Sequence, residues 1–184
     1  MAGERVPSSS STAPAQAGGW ARWWRHAWAD EGRLRRALDG AAMDRLEARV
    51  GAAERGHSGE IRLCIEAALP WAPAWRGVTA RARAVALFSE LRVWDTAQNN
   101  GVLIYLLLAE RAIEIVADRG LSAALSEADW QAVLQPLQAA LAAGEFERGL
   151  GEAVDAVAAQ LRARFALGAD ARDVDELPNR PRML

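Results

Sequence analysis

The chain contains no lysine; its 22 basic residues other than histidine are all arginine, set against 24 acidic ones for a net charge of −2. That balance argues against a general nucleic-acid binder, and the missing lysine reads as a coding bias toward Ala, Arg and Gly. A single cysteine, Cys64, excludes an intramolecular disulfide, so nothing requires an oxidising compartment. Cys64 falls in an alternating strand pattern and reads as a small buried hydrophobe. Two histidines, His26 and His57, are too few for a zinc site. The longest apolar run, residues 101–109, is far short of the ~20 residues a membrane-spanning helix needs. The N-terminus lacks the apolar core of a secretory signal. Cytoplasmic residence is therefore expected, with a peripheral position on the inner face of a membrane as its variant. No phosphate loop, cysteine-phosphatase motif or paired-metal histidine cluster is present, and His57 beside Ser58 does not make a catalytic triad.

What the sequence does hold is unevenly distributed. Residues 1–19 are rich in Ser, Pro, Ala and Gly and read as a disordered tail. Residues 20–38 read as a helical arm carrying half of the eight tryptophans. On a helix Trp20, Trp24 and Trp28 make one stripe with Trp23 beside it, and Arg22 and Arg25 lie on the other side. Tryptophan next to arginine suits a membrane interface, the ring being amphipathic and the guanidinium meeting lipid phosphate. The plainer role, a helix docked on the domain with its rings filling a groove, ranks ahead of membrane contact.

The domain itself is expected over residues 39–168. Asp39 caps a helix over residues 40–55 whose Met43, Leu46, Val50 and Ala53 face a core. Residues 59–67 alternate, with Ile61, Leu63 and Ile65 on one side and Glu60, Arg62, Cys64 and Glu66 on the other, which reads as a strand. A helix over 79–93 follows, with Val85, Phe88 and Leu91 inward. Residues 102–108 are apolar throughout, as in a central strand covered on both faces, and 112–117 return as its antiparallel partner. Ser126 opens a helix with Asp129 as a capping-box variant, Pro136 should kink or restart it, and Gly144 stops it. The last helix, 146–166, carries a stripe from Leu150 to Phe165. Residues 169–184 read as an irregular tail. This element order describes an α/β sandwich around a small mixed sheet, with a parallel crossover between the first two strands.

Under that topology, the openings of the first two strands and the close of the third share one sheet edge. Glu60, Asn99, Asn100 and Asp118 converge there, and Asp95 joins them if its loop folds back. Calcium takes such a mixture of carboxylate, amide and backbone oxygens and water. Two plainer roles stay open: Asn100-Gly101 as a turn into the strand, and Asp118 as a cap or as a partner of Arg119 or Arg62. With a cation as Lewis acid, Arg119 or Arg62 could hold phosphate oxygens by a bidentate fork.

Residues 58–62 (Ser-Gly-Glu-Ile-Arg), 85–88 (Val-Ala-Leu-Phe), 100–105 (Asn-Gly-Val-Leu-Ile-Tyr), 118–120 (Asp-Arg-Gly), Trp130, 144–146 (Gly-Glu-Phe), 149–150 and 176–179 (Glu-Leu-Pro-Asn) form an ordered set that resembles the TPM-domain family. The resemblance implies a three-layer α/β/α sandwich, here with an N-terminal helical arm added, and a divalent cation, calcium more than magnesium. Members carry a phosphatase name, and several work near membranes in assembly or repair. This chain looks like a short branch without signal peptide or anchor. Two functions are expected in order. The first is a cation-binding assembly factor held at a membrane surface or membrane-bound protein through Trp20, Trp23, Trp24, Trp28, Arg22 and Arg25. The second is a metal-dependent phosphatase using the same sheet edge.

Overall fold

The computed structural model describes residues 36–69, 77–167 and 176–184. Its elements are α1 (Gly40–Glu54), β1 (Ile61–Glu66), α2 (Ala80–Glu90), β2 (Val102–Leu107), β3 (Ala112–Ala117), the short α3 (Arg119–Ser122), α4 (Glu127–Ala142), α5 (Phe146–Phe165) and β4 (Arg182–Met183). The strands form one mixed sheet in the order β3-β2-β1-β4. β1 runs parallel to β2 and to β4, whereas β2 and β3 are antiparallel. The expected Trp/Arg arm lies outside the described residues.

Helices cover both faces of the sheet, which makes three layers. On one face Ile61, Leu63, Ile65, Val102, Ile104 and Leu106 pack against α1, α4 and α5. On the other, Cys64, Leu103, Tyr105 and Leu107 meet Ala80, Ala84 and Leu87 of α2. β1 and β2 are buried at every position, as strands covered on both sides must be. The α1 stripe of Met43, Leu46, Val50 and Ala53 and the α5 stripe of Leu150, Val154, Val157 and Leu161 are all buried. Exposed bridges between Arg45 and Glu147 (2.6 Å) and between Arg49 and Asp155 (2.5 Å) add little to that packing.

Local signals set the element ends. Asp39 accepts the Ala42 N–H at 2.8 Å, and Ser126 and Asp129 form a reciprocal capping box. Gly144, at φ +79°, closes α4. The N–H of Gly144 reaches Leu141 O (3.0 Å) and that of Glu145 reaches Ala140 O (2.9 Å), the paired bonds of a left-handed helix stop.

Three expectations need correction. Val85 does not face inward but is 46% exposed; Arg83, Ala84 and Leu87 hold the buried face of α2. Pro136 does not restart α4, which runs through it as one helix. The tail is not wholly irregular, because Arg182 and Met183 pair with Cys64 and Ile65 as β4. The charged side of β1 is buried: Glu60, Arg62 and Glu66 are at most 8% exposed.

Gly101 is where the backbone fits most tightly. A Cβ there would lie 1.9 Å from Val93 O, whereas a Cβ on Gly40 would meet nothing within 4 Å. Gly101→Ala should therefore destabilise the protein by about 3 kcal/mol or more, since backbone must move to admit the methyl. Gly40→Ala, in the first turn of α1, should be neutral or stabilising by up to ~1 kcal/mol. Urea denaturation of the two variants checks this, and equal midpoints would contradict it.

Candidate functional site

The rim formed by the starts of β1 and β2 and the end of β3 is built mostly from backbone. Leu91 ends α2, and the chain returns through residues 93–100. The Asn99 N–H bonds to Thr96 O (3.2 Å), and the Asn100 N–H bonds to the buried Thr96 hydroxyl (3.1 Å). Asn99 takes the left-handed conformation, φ +52°, which asparagine tolerates better than most residues. Gly101 itself needs no unusual backbone angle; it is required for close approach. Gly120 has the same role, since a Cβ there would stand 2.5 Å from Asn99 O. Two bonds then tie the three strands at the rim, Val102 N–H to Glu60 O (2.8 Å) and Asp118 N–H to Gly101 O (2.9 Å).

Four of the expected residues lie along this rim, and among their side chains Arg119 and Asn99 are in contact. Asn100, fully buried, donates from Nδ2 to Ser58 Oγ at 3.1 Å. Its Oδ1 is buried with no donor among the described residues. Asp118 caps α3, its Oδ1 accepting the Arg119 N–H at 2.6 Å, while its Oδ2 is also buried without a donor among them. The exposed Arg119 donates to Asn99 Oδ1 at 2.9 Å. Register sets Asp118 opposite Gly101, beside Arg119 and one step from Asn100.

The other three are placed differently. Glu60 brings its backbone to the rim, but its carboxylate, 1% exposed, accepts the N–H groups of Glu176 (3.0 Å) and Leu177 (3.3 Å). Arg62 is buried and donates to the carbonyls of Pro178 and Arg180. Burial lowers its pKa, yet an arginine so placed stays charged. Asp95 is exposed, and no contact joins its carboxylate to the others among the described residues. Trp20, Trp23, Trp24, Trp28, Arg22 and Arg25 fall outside those residues. Among the described residues no three His, Cys, Asp or Glu side chains are grouped to hold a metal, so a cation at the rim would have to complete any carboxylate ligand with amide, backbone and water oxygens.

Three features were missed from sequence. Ser58, 42 residues away, and Thr96, four residues away, support Asn100, and only the second lay within reach of a local reading. At the far end of the strands, Glu66 accepts from Tyr105 OH (2.6 Å) and from Arg83 Nε (2.9 Å) and Nη2 (2.8 Å). This buried set raises the Tyr105 pKa through burial and the Glu66 bond. Burial likewise pushes the Cys64 thiol up to about 12, so it is not a reactive nucleophile. Third, His57 is fully buried beside the rim. Its Nδ1 accepts the Gly59 N–H at 3.2 Å, which puts the ring proton on Nε2.

A family model described as the TPM domain matches residues 34–160. The BA42 protein of the psychrophilic bacterium Bizionia argentinensis is structurally similar, with TM-score 0.71 and 26% identity over 80% of this chain and 95% of that one. The N-terminal domain of a protein from P. gingivalis shares the fold, with TM-score 0.56 and 22% identity over 74% of this chain and 87% of that one. Among curated proteins none matches the sequence.

Burial, and next the charge of Arg162, lower the His57 pKa from 6.5 to about 4. The unfolded chain thus binds the proton first as pH drops. The stability this neutral histidine confers is complete above its unfolded pKa and is lost as pH falls through 6.5 toward 4. His57→Asn keeps an acceptor for Gly59 but cannot titrate. Its denaturation midpoint should depend less steeply on pH across that window than the parent's, and an unchanged slope would contradict the assignment.

Proposed function

The chain belongs to the TPM domain family, and from that premise we propose that it is a divalent-cation-binding factor, calcium ahead of magnesium, serving binding or assembly at or near a membrane. The observation that carries this reading is the pair of buried oxygens, Asn100 Oδ1 and Asp118 Oδ2, left without donors at neighbouring strand ends. A buried acceptor without a partner costs free energy, and a hard cation is a natural partner for it. Calcium accepts a carboxylate, an amide oxygen, backbone carbonyls and water together. Asp118 would supply the charge and Asn100 the neutral oxygen, with Asn99 beside them and Asp95 on the loop that leads in. A bound cation would supply Lewis acidity. The chain's own part is to fix the oxygens, through Thr96 and Ser58 on Asn100 and through the α3 cap on Asp118.

Binding is favoured over phosphate-ester hydrolysis by the placement of Arg62. Of the two guanidiniums expected to grip phosphate, Arg62 is committed to the Pro178 and Arg180 carbonyls. Only Arg119 stands exposed at the rim. The membrane part of the reading rests on the Trp/Arg arm. Among the described residues no helix is long and apolar enough to cross a membrane.

Calorimetric titration of calcium, then magnesium, into the parent and Asp118→Asn tests the cation. Asparagine keeps the α3 cap, so the variant should fold yet bind at least about tenfold more weakly, a loss of ~1.4 kcal/mol. Equal affinities, or no saturable heat in the parent, would overturn the reading. For the arm, Trp24→Ala with Trp28→Ala should reduce co-sedimentation with anionic vesicles, and unchanged sedimentation would remove the membrane contact.

A further inference from the structure

Residues 176–184 are bound to the domain much as a peptide is bound to a receptor. Arg182 and Met183 add a short parallel strand to the edge of β1, and two further bonds extend it, Leu184 N–H to Ile65 O (2.9 Å) and Ala67 N–H to Leu184 O (3.1 Å). Ahead of that strand, buried charges grip the backbone: Glu60 accepts from Glu176 and Leu177, and Arg62 donates to the carbonyls of Pro178 and Arg180. Leu177 is set into the core on the α2 side, and Pro181 is buried as well. Ladder bonds for affinity and a pocket for an anchoring side chain are the terms of recognition by strand addition.

The attachment is strong at its charged clamp and slight elsewhere. β4 has two residues, both exposed, and Leu184 is 39% exposed. The bridges from Arg180 to Asp44 and Glu47 (2.7 Å each) lie at the surface, where such pairs contribute little. The strap also reaches the rim. Glu176 Oε2 accepts the Ala97 N–H at 3.1 Å, and Ala97 follows Thr96, whose hydroxyl holds Asn100.

We propose that the edge of β1, with Glu60 and Arg62 as its clamp, is a peptide-acceptor groove, and that residues 176–184 are a strap that leaves it as one unit. The groove takes an extended strand preceded by a Leu-Pro step, read by backbone carbonyls and N–H groups, by the leucine and by the buried Pro181 before the strand. Its occupant here is the chain's own segment. Opening removes two donors from Glu60 and releases Ala97, loosening the loop that presents Asn99 and Asn100. None of this requires that the rim bind a cation.

Amide hydrogen exchange on the unaltered full chain tests the unit. The Glu176, Leu177 and Ala97 amides should exchange through one shared opening, at least about tenfold faster than Ile104 in the central strand. Exchange of all three only with Ile104 would make the strap an inseparable part of the core, and independent rates would dissolve the unit; either result overturns the proposal. The groove is tested in the full chain carrying Leu177→Asp, with a fluorescent peptide of the sequence of residues 176–184 as probe. The variant should bind it saturably, the parent much less, and Arg62→Met added to the variant should abolish binding. A folded variant that ignores the peptide, or binds a scrambled one equally, would refute the groove. If Leu177→Asp fails to fold, the exchange measurement alone decides.

Discussion

The backbone of residues 93–100 lies directly on Gly101 and Gly120, and the arrangement of the rim depends on that contact. With Val93 O, Gln98 O and Asn99 O so close to the two glycines, neither position can carry a side chain without moving main chain. The contact fixes where β2 begins, and the β2 register fixes β3 through Val102 opposite Ala117. Asn100 and Asp118 are thereby set at adjacent strand ends, with buried oxygens that no group among the described residues satisfies. The shape of the rim is thus a consequence of backbone packing more than of any cluster of acids.

The same sheet carries charge inside its second face, which is uncommon for a small domain. Glu60, Arg62 and Glu66 project from one side of β1, and each meets a partner rather than solvent: strap N–H groups, strap carbonyls, and the Arg83–Tyr105 pair. Burying ions costs several kcal/mol each unless hydrogen bonds replace the lost water. These partners lie 17 to 118 residues away, so the layer cannot form until the chain has closed around it. The buried charges select the arrangement in which the strap covers the β1 edge, an edge that would otherwise invite pairing with another chain.

Much of this was legible in the sequence, and the limits have physical reasons. The α1 and α5 stripes, the Asp39 and Ser126 caps and the Gly144 stop are local signals, and the structure places them as read. So is the apolar run of β2. The adjacency of the strand ends that carry Asn100 and Asp118 followed from topology, because an antiparallel pair must bring its opening and closing ends together. The misreading of Val85 arose in a helix whose short, Arg- and Ala-rich sequence has only a weak apolar face. There the buried Arg83 is held by Glu66, which no pattern of hydrophobic residues can show. For β1, alternation sorted the side chains onto two sides, and long-range partners keep the charged side buried. The roles of the Glu60 carboxylate and the Arg62 guanidinium were out of reach for the same reason: their partners sit 116 or more residues along the chain.

The central claim is that this rim, and not another surface, is where the protein meets its ligand. An amide NMR titration of the full chain with calcium tests it most directly. The account predicts saturable shifts centred on the amides of Asn99, Asn100, Gly101, Arg119 and Gly120. Saturable shifts confined to a different part of the molecule, or no shifts at millimolar calcium, would contradict it.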